Sequence, residues 1–580
     1  MSLRLRGRLV PRFILLSKPY FLSEQRLVAW GLLALLVGLM LTNTAAGVLL
    51  VRQTGEFTTA LAERDSARYW KSIYYSIGLI AIAIPIYGLY YYVRDRLTVH
   101  WREWMTKFFM DKYFANRAFY KLSYLPNIDN PDQRIAEDIN SFTSRSIYFL
   151  LIFIETVLQI IAYSGLLWLI SQKLVVFLLI YAVVGTLVTW LVFGRPLVGL
   201  NFFQLRREAD FRFGLVRVRE NAESIAFYHG EPREQSYLGS RLDDVVSNYK
   251  RLLVWQFFLN VFQYAFTTAI VVIPGIILAP RVMSGELEPG TVTEAVGAFS
   301  AVFGALNVIV NKFDLLSLFT AGVGRLDRFY KVLDKATIED DEDSTTSSKQ
   351  VIETVEEPRV AFENLTLHTP DAKRTLIQDL SLTLEKKEGL LIVGASGGGK
   401  SSLLRAFAGL WRSGEGTVVR PSLDEMLFLP QRPYLIIGTL RDQLLYPASG
   451  GNIPDERLQE VLEFVNLPQL VERCGGLDVS ADWGKTLSLG EQQRLAIARV
   501  LLAERPYVIL DEATSALDEE NEARVYETLQ QSEVTLISIS HRPQVARYHT
   551  KVLVLNGEQG WELLTSEEYL ATLQDEPTAA

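Results

Sequence analysis

The first half of the chain alternates long apolar runs with charged stretches, and the second half does not. Six segments, at about 27–50, 71–93, 147–170, 173–193, 254–279 and 291–320, are mostly apolar and long. A helix rising 1.5 Å per residue needs roughly twenty such residues to cross the hydrocarbon core. They predict a six-helix, all-α transmembrane domain within residues 1–334. Ser171-Gln172-Lys173 leaves room only for a tight turn between the third and fourth. Residues 359–580 read as a soluble α/β domain, with short buried strands at Leu390-Leu391-Ile392-Val393 and Val508-Ile509-Leu510. Between the two, residues 335–358 carry Glu339-Asp340-Asp341-Glu342-Asp343 and then Ser344-Thr345-Thr346-Ser347-Ser348. Such a stretch has little to bury and reads as an acidic flexible linker, with ordered segments resuming near Val360.

Charge orients the helices. Arg4, Arg6, Arg8, Arg12, Lys18 and Arg26 precede the first span, and Arg94, Arg96, Arg102, Lys107, Arg195, Arg206, Arg207 and Arg212 occupy the second and fourth connections. The other side has mainly Arg52, Arg64, Arg68, Lys173 and Arg281. The positive-inside rule therefore places both termini and the soluble domain in the cytoplasm. The inside connections are long, and Arg94 to Tyr120 has no proline, so the helices are expected to continue past the bilayer. Glu155 and Gln159 lie one turn apart on a shared face. They fit either a substrate path or an interhelical contact. Asn307, Asn311, Lys312 and Asp314 fall toward the inner end of span six, while Tyr87, Tyr90, Tyr91, Tyr92 and Trp190 read as interfacial anchors. The chain has 580 residues and a net charge of −8, with no basic domain to suggest nucleic acid. A single cysteine, Cys474, excludes an intramolecular disulfide and a CxxC metal site. The first apolar run is too long for the core of a signal peptide.

The soluble domain carries the chemistry. Gly394-Ala395-Ser396-Gly397-Gly398-Gly399-Lys400-Ser401 is a complete GxxxxGK[ST] loop between a strand and a helix. Its backbone N–H groups and the helix N-terminus can surround phosphates, and its glycines allow the close approach. Lys400 would reach the β- and γ-phosphates of ATP, and the Ser401 hydroxyl would bind Mg²⁺. Asp511, at the end of the second strand, is a further Mg²⁺ ligand. Glu512 would polarise the attacking water, and His541, just past the strand Thr535–Ser540, would sense the γ-phosphate.

Leu487-Ser488-Leu489-Gly490-Glu491 has no role in one subunit's phosphate loop. Residues 360–565 resemble an ABC ATPase: Walker A at 394–401 with Ser402 behind it, Gln431 as the Q-loop, a signature at 487–491, Walker B at 508–512, a D-loop at Ser515-Ala516-Leu517-Asp518 and His541 as the switch histidine. The resemblance implies that two motors sandwich two ATP molecules. Ser488 and Gly490 then contact the γ-phosphate held by the partner's Lys400, and Gln431 joins the Mg²⁺ ligands and the catalytic set. One membrane half and one motor resemble a half-transporter, implied to act as a homodimer. Leu489 and Glu491 depart from the commoner Gly and Gln, and no tyrosine stands at the expected adenine-stacking position near Leu367-His368-Thr369.

Asn130–Ile139, Glu223–Glu234 and Leu487–Arg494 are similar to the peroxisomal-type (subfamily D) ABC transporters and their SbmA/BacA-like bacterial relatives with a fused ATPase. Ser224-Ile225-Ala226-Phe227-Tyr228 looks like that group's coupling segment. The resemblance implies a type IV exporter-like fold and a substrate drawn from fatty acids or acyl-CoA, cobalamin, or peptides. The mostly apolar spans point to a fatty acyl substrate, and the signature variant to a bacterial plasma membrane. An ATP-gated channel or a regulatory subunit is the rival reading.

Overall fold

The computed structural model describes residues 9–124, 130–311, 313–338, 351–370, 373–448, 453–515, 517–557 and 560–575. The chain divides into two compact units, Met1–Thr346 and Ser347–Ala580.

Five helices among the described residues of the first unit are long and apolar enough to cross a membrane: Arg26–Ala62, Ser66–Ser123, Pro131–Ile170, Gln172–Gly194 and Glu231–Met283. The shorter apolar helix Gly290–Leu306 occupies the sixth expected position. Lys312 lies outside the described residues, as do the side chains of Asn307, Asn311 and Asp314. Ser66–Phe114 and Glu231–Met283 run for 49 and 53 residues. At 1.5 Å per residue each is over 70 Å long, about two and a half times the ~30 Å hydrocarbon core. Each therefore extends well beyond the apolar layer.

Small residues set one crossing. A Cβ on Gly290 would overlap the carbonyl of Gly55 and the hydroxyl of Thr59. Gly290 N–H instead donates to Thr59 Oγ1 at 2.9 Å. Backbone-to-backbone approach of this kind is how membrane helices pack without a hydrophobic driving force.

Buried charge ties helix ends together. Asp138, in a widened turn at the foot of Ile139–Ile170, accepts from Arg134 at 2.9 Å and Arg325 at 2.5 Å. Asp327, only 1% exposed, pairs with Arg12 at 3.2 Å and Lys331 at 2.9 Å. Arg12 belongs to a helix, Leu9–Leu22, that the hydrophobic pattern did not announce, because it is too short to span and contains Pro11 and Pro19. Its Tyr20 is fully buried, stacks on Trp101 at 5.4 Å and bonds His100 Nδ1 at 2.8 Å. The N-terminal basic residues thus include a structural ion pair as well as a topology signal.

The second unit holds a six-stranded sheet in the order Trp561–Thr565, Lys551–Leu555, Gly389–Gly394, Thr535–Ile539, Tyr507–Asp511, Met426–Leu429. All neighbours are parallel except the first pair. Register puts Asp511 opposite Ile539 and Gly394 opposite Leu555, so the strands end together at one edge. A four-stranded sheet packs a second apolar cluster around Phe362, Ile377 and Phe407.

The expected linker differs at both ends. The helix Phe313–Ile338 runs into it, and Glu353–Glu356 pairs in parallel with Thr417–Arg420. An edge strand needs backbone pairing rather than apolar side chains, so a Glu-rich sequence gave no strand signal. Residues 339–350 lie outside the described residues.

Candidate functional site

Parallel register gathers the chemistry. The loop leaving Gly389–Gly394 turns into the helix Lys400–Phe407 through left-handed backbone at Gly394 (φ 141°), Gly397 (φ 81°) and Gly399 (φ 95°). Gly394 is required twice over, since a Cβ there would also overlap the Leu555 carbonyl. Lys400 curls back, its Nζ donating to the Gly394 carbonyl at 2.7 Å and the Ala395 carbonyl at 3.0 Å. Burial lowers its pKa, opposed by the carboxylates of Glu512 and Asp511. Asp511 accepts a hydrogen bond from Ser401, and burial, then the neighbouring Glu512, push its carboxyl above the usual range.

Glu512 follows on the next residue in left-handed backbone (φ 50°), unusual for a side chain with a Cβ. That turn presents its carboxylate to two partners. Gln431 Nε2 donates to Oε2 at 2.7 Å, and His541 Nε2 lies 3.0 Å from Oε1. The Glu512 side chain is 21% exposed and that of His541 55% exposed, so the group opens to solvent beside the phosphate loop. A carboxylate so placed can orient a water and accept its proton. Ser402 follows Ser401 on the same helix, half-buried.

Residues 16–283 match the family model for the ABC transporter transmembrane region 2, and residues 377–515 that for the ABC transporter. An ABC transporter ATP-binding protein of Synechocystis is 44% identical over 93% of this chain and 82% of its own length. The chloroplastic ABC transporter D family member 2 of Arabidopsis thaliana is 36% identical over 95% of this chain and 88% of its own. The chain belongs to the D-family type of ABC transporter. The lysosomal cobalamin transporter ABCD4 of Mus musculus is 31% identical over 97% of both chains. A solved bacterial Atm1-family ABC exporter with ATP bound shares the fold, with a TM-score of 0.72 at 18% identity over 96% of this chain and 98% of that one. As an ABC transporter, the protein couples ATP hydrolysis to transport, with one membrane unit and one motor per chain.

The transporter's signature departs from the common pattern for a local reason. Ser488 caps the helix Leu489–Ala503, and Glu491 closes a capping box by accepting from Ser488 N–H at 2.8 Å. Arg473 donates to the same carboxylate at 2.7 Å and holds it below the usual carboxylate range. Glutamate thus serves as both cap and ion-pair partner. Leu489 is 55% exposed and Gly490 follows it in the first turn. Ser488 and Gly490 belong to a different element from the phosphate loop, and each motor unit presents both. Near the expected adenine position, the His368 carbonyl accepts from Trp411 Nε1 at 2.9 Å.

Three positioning residues had no role assigned from the sequence. Gln493, 2% exposed, donates to the Gln431 carbonyl at 3.2 Å and to Ser515 Oγ at 3.3 Å. Arg542, next to His541, donates to the carbonyls of Ser515 and Leu517 at 3.2 and 3.0 Å and pairs with Glu522 at 2.9 Å. It clasps the D-loop, of which Ala516 lies outside the described residues. Arg499 reaches the carbonyls of Gln443 and Tyr434 at 2.5 and 2.6 Å. Gln493 stands inside the stretch Leu487–Arg494 and Arg542 follows His541, while no local pattern marked Arg499.

In the membrane unit, Gln159 Nε2 donates to Glu155 Oε1 at 3.1 Å, and both line a cavity. Tyr87, Tyr90 and Tyr91, expected as interfacial anchors, line it too, while Tyr92 is exposed. Phe227 and Tyr228, from the expected coupling segment, are 76% and 86% exposed at the end of the short helix Ala222–Phe227.

Proposed function

We propose that this transporter works as a homodimer, each motor hydrolysing ATP between its own phosphate loop and the partner's signature. The observation that carries the reading is Glu512 held between Gln431 and His541 beside the loop Gly394–Ser401, a full catalytic set within one chain. Backbone N–H groups of Gly394, Ala395, Ser396, Gly397, Gly398 and Gly399 receive the phosphates, with Lys400 leaving its loop carbonyls for the β- and γ-oxygens and Ser402 supporting the α-phosphate side. Ser488 and Gly490 of the partner close on the γ-phosphate. Glu512 takes the proton of the attacking water, and His541 holds that water and senses the phosphate.

The donor set fits Mg²⁺. Ser401 and Asp511 are already bonded to each other, and Gln431 uses its amide nitrogen on Glu512, which leaves its oxygen for a cation. Hard oxygen donors suit Mg²⁺, which keeps phosphate and water in its shell. When bound, the ion neutralises charge on the β- and γ-phosphates.

The substrate is amphipathic, a fatty acid or acyl-CoA in preference to cobalamin or peptide, because the spans are mostly apolar. The membrane is a bacterial plasma membrane with both termini and the motors inside, supported by the Lys and Arg distribution and by the Synechocystis relative. The test is ATPase activity and uptake in lipid vesicles with long-chain acyl-CoA, with cobalamin in parallel. Stimulation and uphill uptake of acyl-CoA alone support the reading. Stimulation by cobalamin alone or by neither removes the substrate, and downhill flux without ATP turnover would favour a channel.

A further inference from the structure

A cavity of about 290 Å³ lies among the helices Arg26–Ala62, Ser66–Phe114 and Ile139–Ile170. Its wall carries both signs of charge, Arg94 and Glu155, together with Tyr87, Tyr90, Tyr91 and Tyr148. The two charges do not pair with each other. Arg94 pairs with Asp95 at 2.8 Å and lies over the Tyr91 ring at 4.6 Å. Glu155 accepts from the neutral amide of Gln159, and among the described residues no cation stands within ion-pair distance of it. A carboxylate inside a span is normally answered by a cation or a water-filled cavity. Here the answer is a cavity walled by aromatic rings, whose faces attract cations. The Tyr87 and Tyr91 hydroxyls bond at 2.9 Å and their rings meet at 4.7 Å, which holds two of those walls in place.

We infer that this cavity binds a headgroup carrying both an ammonium and a phosphate, the ammonium against Glu155 and the tyrosine rings, the phosphate against Arg94. A ligand with only a cation leaves the Arg94 N–H groups that Asp95 does not engage without an acceptor. A ligand with only an anion meets the Glu155 carboxylate. Arg94 stands at the inner end of its span, and Glu155 lies roughly 12 Å inside the start of its own at 1.5 Å per residue. A headgroup entering from the inner surface can therefore lie along the cavity while its chains stay in lipid. The chemistry is that of a zwitterionic phospholipid, either a resident of the bilayer or the cargo. The inference deepens the amphipathic-substrate reading, and rests on it only where the lipid is cargo.

Phosphatidylethanolamine and phosphatidylglycerol share phosphate and chains and differ in the ammonium. The full-length protein is reconstituted with equal amounts of both, extracted, and the retained lipid counted by native mass spectrometry. The wild type is expected to retain phosphatidylethanolamine about tenfold over phosphatidylglycerol, the scale of one desolvated cation contact. The near-isosteric E155Q should bring that ratio close to one, and R94Q should lower retention of both lipids. Equal retention by the wild type, which needs no variant, or a preference surviving E155Q overturns the inference. ATP-driven movement of labelled phosphatidylethanolamine between leaflets makes the lipid cargo, and retention without movement makes it a resident; both require the site. Binding needs no ATP, so failure of the transport reading leaves the retention ratio intact, and loss of the ratio leaves acyl-CoA uptake to be judged separately.

Discussion

Replacing Glu512 by Gln removes one negative charge and almost no volume. The structure gives the carboxylate two partners, Gln431 Nε2 at 2.7 Å and His541 Nε2 at 3.0 Å. A glutamine keeps its carbonyl oxygen for Gln431, and its NH₂ can meet the ring nitrogen of the other tautomer of His541. The left-handed turn at residue 512 and the phosphate loop are untouched, so ATP binding should survive. What is lost is the proton acceptor. A positioned general base contributes on the order of 10²–10⁴ in rate, about 3–5 kcal/mol of activation free energy at 1.36 kcal/mol per decade. Phosphate release by the full-length transporter in vesicles should fall by that factor while labelled ATP remains bound at wild-type affinity. Turnover within about threefold of wild type would remove Glu512 from the chemistry. Lost ATP binding would show instead that the carboxylate's role is to hold Gln431 and His541 in place.

His549 is fully buried, with Nδ1–H donating to the Val545 carbonyl and Nε2 accepting from Ser538, and burial pulls its pKa from 6.5 to about 4. The unfolded chain therefore takes up a proton near pH 6.5 that the fold refuses until about pH 4, so stability present above pH 6.5 is lost as pH falls through that window. The loss is about 3 kcal/mol, and a melting-temperature difference between wild type and H549Q that stays constant from pH 7.5 to 4.5 would refute it. Asp511 has a raised pKa, so its ionised form costs the nucleotide-free fold stability at neutral pH. D511N should raise the melting temperature while abolishing Mg²⁺-dependent turnover, and a lowered melting temperature would contradict the burial argument. G397A, with open space around the new Cβ, should cost about 1–2 kcal/mol of backbone strain. G394A, which must displace Leu555, should cost more and abolish ATP binding, and equal melting temperatures for the two variants would refute the packing account.

The motor was legible because phosphate chemistry constrains sequence locally. Glycines at 394, 397 and 399, Lys400 and Ser401 must follow one another for a loop to wrap a phosphate, and Asp511 with Glu512 must end a buried strand. The spans were legible because roughly twenty apolar residues have one outcome in a bilayer. The acidic strand Glu353–Glu356 and the helix Leu9–Leu22 were not, since pairing along an edge and docking by Arg12 on Asp327 depend on partners far away in the chain. Glu491 looked like a defect in the signature until Ser488 and Arg473 surrounded it.

By itself, then, the sequence determined the long apolar helices and the ABC ATPase domain with its glycine-rich loop, each set by short-range periodicity or by a contiguous motif, while the orientation and the roles of single residues remain proposals. Only the tertiary structure decided that Gln431, Glu512 and His541 converge, because they reach one point from separate strand ends aligned by parallel register. It also decided that Arg94 and Glu155 share a cavity without pairing, because that depends on how three helices cross, which no local pattern encodes.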